Sequence, residues 1–281
     1  DAGYDFIKTY VNLTPEAYRA VLAAAGERGL RVAGHAPRGM DVLEVARAQW
    51  SLEHLGDLAG PTAQTPSETP GWARRFLAAP LDPARTQALT AQLAEIGVWV
   101  VPTSVEKDRS LAPPATVEGW LADPAMRDLP AGALGTWRGM MRGFSGRLGA
   151  DDWPMVEQAR RNRIELIRLL HTNGVRLVVG SDTPNMFVVP GQSVHLELAN
   201  FVAAGFTPGE ALEAATAAPA RMLGPLSDAG SIEVGKRADL LLLTADPFED
   251  VGNLQRRAGL VVNGRWLDEA ALVRARGDLA R

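Results

Sequence analysis

The chain has 281 residues, of which 46% are hydrophobic and 22% are charged, and this balance is typical of a globular protein. Its 29 Lys and Arg against 33 Asp and Glu give a net charge of −4, which disfavours nucleic acid as the main partner because phosphate binding needs a basic surface. No apolar run approaches the roughly 20 residues of a membrane span. The absence of Cys excludes disulfides, thiolate zinc sites and a Cys nucleophile.

Predicted strands and helices alternate along most of the chain. Apolar, β-rich segments predict strands at 5–11, 30–36, 51–55, 98–104 and 175–182. Helical spacing and capping signals predict helices at 14–28, 41–48, 71–79, 83–96, 154–172, 192–204 and 207–223, and residues 60–70 predict a loop. Five strands with helices between them predict an α/β fold that is a partial (β/α)8 barrel, with three further strands expected upstream of Asp1.

Two regions depart from this alternation. Residues 106–152 are irregular, so we expect a partly helical insertion over the active face that serves as a lid or a specificity element. Strands at 230–243 and 258–267 follow each other with tight Gly turns and no long helix, which predicts a small β domain. The predicted domains are a barrel at 1–224 and the C-terminal part of a β-sandwich-like domain at 225–281.

Four residue types suited to metal binding each follow one of the predicted strands. They are Lys8, His35, His54 and Asp182. Because the C-terminal ends of parallel strands meet at one face of a barrel, we expect these side chains to converge on a single site. Neutral imidazole is the commonest protein ligand for zinc-like metals, and a carboxylate can both bind a metal and take a proton from water.

Each candidate also has a purely structural interpretation. Asp182 lies in an S-D-T-P segment, where Asp most often caps a helix or a turn. A lone His on a strand is more often a hydrogen-bonded structural residue, although two at adjacent strand ends favour a shared ion. Lys8 can reach solvent through its long stem, or it can be carboxylated to bridge two metals.

Other polar residues near these strand ends are weaker candidates. Tyr10 and His195 are candidates for substrate binding, because one follows the Lys8 strand and the other begins a helix after Pro190-Gly191. Thr103 and Glu106 follow another strand and are candidates for lining the pocket. His171 lies late in a long helix, where a cation suits the helix dipole, and we interpret it as structural.

The strand-end segments resemble the amidohydrolase superfamily, and most of all its imidazolonepropionase-like and prolidase-like branch. The resemblance rests on DFIKTY, RVAGHAP, SLEHL and VRLVVGSDTP, and it covers nearly the whole chain. The tail AGFTPGEALEAATAAPARMLG followed by GSIEVGKRADLLLL resembles the last barrel helix of that family and its β domain. As a set these motifs are specific for the superfamily and unspecific for the substrate.

The resemblance implies a metal-dependent hydrolase with a distorted (β/α)8 barrel. Lys8 would be a carboxylated bridge, His35 and His54 the ligands of one metal, and Asp182 a ligand and general base. The expected cofactor is a divalent metal, with zinc the first choice, as one or two ions. We expect a small-molecule substrate and leave a homo-oligomer open.

The chain departs from the family pattern in one important respect. The family's first strand carries a His-x-His pair for the other metal, and this sequence has none. We therefore expect the chain to be the later part of a longer enzyme and to bind metal weakly by itself. Three functions stay open: hydrolysis of carbon–nitrogen bonds in cyclic amides or Xaa-Pro-type dipeptides, hydrolysis of phosphoesters or lactones, and non-catalytic binding.

Overall fold

The computed structural model describes residues 3–64, 77–123, 126, 129–224 and 227–279. The strands are β1 (Phe6–Thr9), β2 (Arg31–Gly34), β3 (Ser51–Glu53), β4 (Trp99–Val101), β5 (Arg176–Leu177), β6 (Leu240–Leu243), β7 (Arg257–Val262) and β8 (Arg265–Asp268). The α-helices are α1 (Pro15–Gly26), α2 (Val42–Ala48), α3 (Ala59–Thr62), α4 (Pro83–Ile96), α5 (Ser104–Ser110), α6 (Pro114–Leu121), α7 (Ala131–Phe144), α8 (Trp153–Thr172), α9 (Gln192–Ala203), α10 (Pro208–Ala215), α11 (Ala217–Leu223) and α12 (Glu269–Leu279).

The chain divides into two compact units. The first contains residues 1–103 and 155–178, and the second contains residues 104–154 and 179–281.

A parallel sheet in sequence order, β1-β2-β3-β4-β5, forms the centre of the first unit. Helices cross over between consecutive strands, as parallel pairing requires. Its interior is apolar: Leu52, Leu93, Val100 and Leu166 are each at most 1% exposed. This order confirms the predicted α/β class and is consistent with part of a (β/α)8 barrel.

Local capping explains where several helices of the first unit begin. The side chain of Thr14 accepts a hydrogen bond from Ala17 N, with Pro15 at the first helical position of α1. Asp41 caps α2 and Asp82 caps α4 in the same way. The predicted starts of these helices are therefore confirmed.

The strands of the first unit differ from prediction in burial and length. β1 is not the buried strand that its apolar residues predict: Phe6 is 42% exposed and Lys8 is exposed, because an edge strand packs and pairs on one side only. The strand predicted at 175–182 shortens to β5. Val178 N still donates to Val100 O at 3.1 Å, but Val179 N turns away and donates to Ala214 O at 2.8 Å.

One predicted helix of the first unit lies largely outside the described residues. Of the predicted helix 71–79, residues 71–76 are not described, and residues 77–79 are not helical. In the loop predicted at 60–70, the short helix α3 reaches Thr62.

The second unit contains the inserted helices α5, α6 and α7, followed by α9 to α11 and a three-stranded antiparallel sheet of order β6-β7-β8. Thr207 and Glu210 form the predicted capping box of α10. The single helix predicted at 207–223 is two helices, because Thr216 at φ −131° leaves helical geometry.

The first strand of the small sheet is shorter than predicted, and the second predicted strand is two strands joined by a turn. The strand predicted at 230–243 reduces to β6, and the strand predicted at 258–267 is a hairpin of β7 and β8. Asn263 and Gly264 form its turn with φ of 49° and 76°, values that suit a tight two-residue hairpin. Among the described residues, no helix is long and apolar enough to span a bilayer.

Candidate active site

The parallel sheet brings several candidate residues of the first unit to the carboxyl ends of its strands. Thr9 pairs with Gly34, Gly34 pairs with Leu52, and Glu53 pairs with Val101. His35 therefore begins the segment after β2 and His54 begins the segment after β3, offset by one residue in the register of these neighbouring strands. Lys8 lies in β1, level with Ala33, two residues before His35.

Three of the predicted side chains are in contact. The imidazole rings of His35 and His54 have centroids 4.6 Å apart with an interplanar angle of 30°. The Tyr10 ring meets His35 edge-on, also at 4.6 Å, although Tyr10 itself is 60% exposed. Lys8 lies on the neighbouring strand and is exposed.

Each histidine has a polar group at its Nδ1 atom. Asp57 Oδ2 lies 3.9 Å from His35 Nδ1 and accepts a 2.8 Å hydrogen bond from Ala36 N. Burial raises the pKa of the Asp57 carboxyl to about 6, against the hydrogen bond from Ala36, which lowers it. Thr103 Oγ1 lies 2.5 Å from His54 Nδ1, and Thr103 is 3% exposed. The Thr103 contact restricts the orientation of the His54 ring, whereas 3.9 Å is too long for a hydrogen bond between His35 Nδ1 and Asp57.

The backbone at the strand ends is left-handed. φ is 69° at His54 and 48° at Thr103, a region that non-glycine residues rarely adopt and that clusters at functional sites. Gly34 is needed beside them, because a Cβ on it would lie 2.5 Å from Thr9 O.

Asp182 belongs to the second unit and also has a left-handed backbone, with φ of 56°. The Asn185 amide donates to Asp182 Oδ2 at 2.7 Å and to the Asp182 carbonyl at 3.1 Å. One carboxylate oxygen is therefore oriented by a neighbour three residues away.

His195 lies in the first turn of α9, in the second unit, and is half-buried. Burial lowers the pKa of its imidazole, and the charge of Arg257 lowers it further. His195 Nδ1 is buried and makes no hydrogen bond within the described part of the chain. A neutral ring in this position suits hydrogen bonding more than charge pairing.

Glu197, two residues further along α9, is fully buried. Its carboxylate accepts hydrogen bonds from Ser104 N at 2.9 Å and from Val105 N at 2.7 Å, so it caps α5 from a distant helix. The Asn200 amide donates to the same carboxylate at 3.3 Å. Burial raises the pKa of Glu197 to about 7, against these hydrogen bonds, which lower it.

The described residues of the first unit fit part of a divalent-metal site. Metal-ligating histidines commonly have their second ring nitrogen hydrogen-bonded to a polar group, as His54 Nδ1 contacts the Thr103 hydroxyl here, and Asp57 lies 3.9 Å from the same atom of His35. No group of three or more His, Asp or Glu side chains within the described ranges lies close enough to hold an ion. The two neighbouring imidazoles have the donor chemistry of two ligands of such a site.

Sequence reasoning missed Asp57, Asn185 and Glu197. Asn185 follows Asp182 by three residues, and that spacing is a usable local signal for a side chain that turns back onto its neighbour. Asp57 gives no such signal, because its contacts are with His35 and Ala36, 22 and 21 residues earlier in the chain. Glu197 gives no local signal, because its partners lie 93 and 92 residues earlier in the chain.

Solved structures with a similar fold include three enzymes. A bottromycin amidohydrolase is 27% identical with a TM-score of 0.73, over 99% of this chain and 59% of that chain. An Xaa-Pro dipeptidase with methionine bound in its active site is 21% identical with a TM-score of 0.59, over 95% of this chain and 55% of that one. The ochratoxinase of A. niger is 19% identical with a TM-score of 0.57, over 95% of this chain and 51% of that one. The chain thus spans 51 to 59% of the length of these proteins.

The two less similar structures show the fold alone. A comparison with curated proteins gives no match. The model of the amidohydrolase family matches residues 8–267, which is most of the chain and contains all six predicted site residues. The predicted superfamily is therefore confirmed: the chain belongs to the amidohydrolase family.

Proposed function

We propose that this chain is part of a divalent-metal-dependent hydrolase that cleaves carbon–nitrogen bonds in small molecules such as cyclic amides or Xaa-Pro-type dipeptides. The observation that carries the proposal is the His35–His54 pair at neighbouring strand ends, with ring centroids 4.6 Å apart, Thr103 in contact with His54 Nδ1 and Asp57 3.9 Å from His35 Nδ1. Family membership supports the reaction class.

The residues of this chain divide into ligands and a proton carrier. His35 and His54 would hold the metal, with Lys8 in carboxylated form and Asp182 as further ligands. Zinc is the expected ion, and its number is one or two. When bound, such an ion supplies Lewis acidity toward the scissile carbonyl and the attacking water.

Asp182 is proposed to carry the proton of the reaction. Its carboxylate takes a proton from the attacking water and returns it to the leaving nitrogen, so that the amide and water give a carboxylic acid and an amine. The Asn185 amide, 2.7 Å from Oδ2, holds the carboxylate in one orientation during this transfer. Tyr10 and His195 are the proposed substrate contacts.

The first test is the metal content of the intact gene product that contains this chain, measured by elemental analysis. We expect one or two ions per chain, and His35→Ala and His54→Ala should each lower that number. His171→Ala, a histidine late in α8 outside the proposed set, serves as the matched control. Unchanged metal in both site variants would remove them from the ligand set.

The second test is turnover of a substrate panel by the same protein. Xaa-Pro dipeptides and cyclic amides should be hydrolysed, and phosphoesters and lactones should not. Asp182→Asn should lower kcat by about 10² to 10⁴ fold, the usual contribution of a positioned acid–base group, while the fold is kept. Asp151→Asn, at an exposed position, is the control. Near-normal turnover by Asp182→Asn would contradict its role as base.

A further inference from the structure

The segment after Asp182 closes on itself through its own hydrogen bonds. We name residues 182–189 the Asp182 loop. Asn185 N donates to Asp182 O at 3.2 Å, and Val188 N donates to Asn185 O at 2.9 Å. The Thr183 hydroxyl donates to Val188 O at 2.8 Å. The loop is therefore a compact turn whose shape determines where the Asp182 carboxylate lies.

Two aromatic residues of the inserted helices pack against this loop. Phe187 is 0% exposed, and its ring centroid lies 5.5 Å from Trp137 of α7 and 6.0 Å from Trp120 of α6. The Trp137 indole N–H donates to Pro184 O at 3.2 Å. The ring contacts fix one side of the loop and the hydrogen bond fixes its backbone near Asp182.

The contact is part of a single buried apolar cluster. The inserted helices and the Asp182 loop both contribute residues to this cluster. Its buried members are Ala112, Val117, Met126, Trp137, Met186, Phe187 and Val189. Packed apolar groups of this kind rearrange as a unit, because interiors are close-packed and tolerate few voids. The inserted helices are thus packed against the loop that carries Asp182.

We propose that Trp137 and Asn185 are positioning residues for Asp182. Trp137 fixes the Asp182 loop through Phe187 and the Pro184 carbonyl, and Asn185 passes that restraint to the carboxylate through Oδ2. The left-handed backbone of Asp182, with φ of 56°, is a conformation that persists only when its surroundings enforce it. The inference rests on the proposed role of Asp182 and goes beyond it, since it assigns the insertion a part in catalysis.

The test compares four variants of the intact gene product. Trp137→Ala removes both contacts, and Trp137→Phe keeps the ring but not the N–H. Asn185→Ala removes the side-chain bonds to the Asp182 carboxylate and carbonyl and leaves the Trp137 contacts in place. Trp266→Phe, in the small sheet and half-exposed, is the matched control. Trp137→Ala leaves a cavity in a buried cluster. If this variant does not fold, Trp137→Phe and Asn185→Ala test the proposal.

Two readouts separate this inference from the proposed function. The first is kinetic: Asn185→Ala should lower kcat by about 10- to 100-fold with a much smaller change in KM, as loss of an outer partner of a catalytic group does. Trp137→Phe should lower kcat less than Trp137→Ala, and Trp266→Phe should leave it unchanged.

The second readout is amide hydrogen exchange at Asn185 and Val188, which needs no activity. Trp137→Ala should speed exchange at both amides by about tenfold or more, and Trp266→Phe should not. Unchanged exchange in every Trp137 variant would overturn the inference, as would faster exchange with unchanged kcat. If the unaltered protein hydrolyses nothing in the panel, the proposed function fails, and exchange alone decides whether Trp137 holds the loop.

Discussion

Replacing Glu197 tests whether a buried carboxylate stabilises α5 from another helix. Glu197 is 0% exposed, and its two partners, Ser104 N and Val105 N, belong to residues that are each 1% exposed. A buried donor that loses its acceptor costs about 1–3 kcal/mol, so Glu197→Ala should lower the free energy of unfolding by roughly 2–6 kcal/mol. Glu197→Gln keeps one acceptor oxygen and should lose about half as much.

The effect of pH on stability has a definite sign. Burial raises the pKa of Glu197 from 4.5 to about 7, so the folded state binds this proton more tightly than the unfolded state. The stability contributed by that proton is fully present below about pH 4.5 and is lost as the pH rises through 7. A shift of this size corresponds to about 3 kcal/mol. Glu197→Ala and Glu197→Gln have no titratable side chain at this position, so neither protein should show this loss of stability with rising pH.

Urea unfolding followed by far-UV circular dichroism, at about pH 5 and about pH 8, measures both effects. Glu213→Ala is the control, because Glu213 is exposed and its ion pair with Arg221 should contribute no more than about 1 kcal/mol. At the lower pH the expected order of stability is the unaltered protein, then Glu197→Gln, then Glu197→Ala. A Glu197→Ala protein within about 1 kcal/mol of the unaltered one at that pH would refute the capping argument.

Three further changes test the strand ends. Gly34→Ala places a Cβ 2.5 Å from Thr9 O at a φ of 120°, so thermal unfolding should show a loss of at least about 2 kcal/mol; a wild-type transition would contradict the close approach. Thr103→Val removes the hydroxyl 2.5 Å from His54 Nδ1, and Co²⁺ titration should show about 10- to 100-fold weaker binding; equal affinity would remove Thr103 from the site. Lys8→Ala should lose activity that small carboxylic acids partly restore, and no rescue at any concentration counts against carboxylation.

Local signals account for much of what the sequence predicts correctly. Thr14, Asp41 and Asp82 cap helices through backbone groups two or three residues away, so the motif and its partner lie within one short window. The order of strands and helices follows from the same short-range patterns. The strand-end positions of His35 and His54 follow as well, because parallel pairing aligns the ends of successive strands.

Burial and strand length were less predictable. The apolar residues of β1 do not reveal that the strand lies at a sheet edge, and those of 175–182 do not reveal that pairing stops after Leu177. Both depend on which other segment is available to accept a hydrogen bond. Val179 N, for example, donates to Ala214 O, a residue 35 positions later in the chain.

The sequence by itself therefore determined the α/β class, the family and the residue types at the strand ends. Only the tertiary structure decided what surrounds them: Asp57 beside His35, Thr103 at His54, and Glu197 at α5. Trp137 and Phe187 meet although 50 positions separate them, and the left-handed backbone of His54 is invisible in its residue type. The physical reason is range: a cap or a strand pattern is set within one window, whereas packing, desolvation and backbone strain depend on neighbours that only folding brings together.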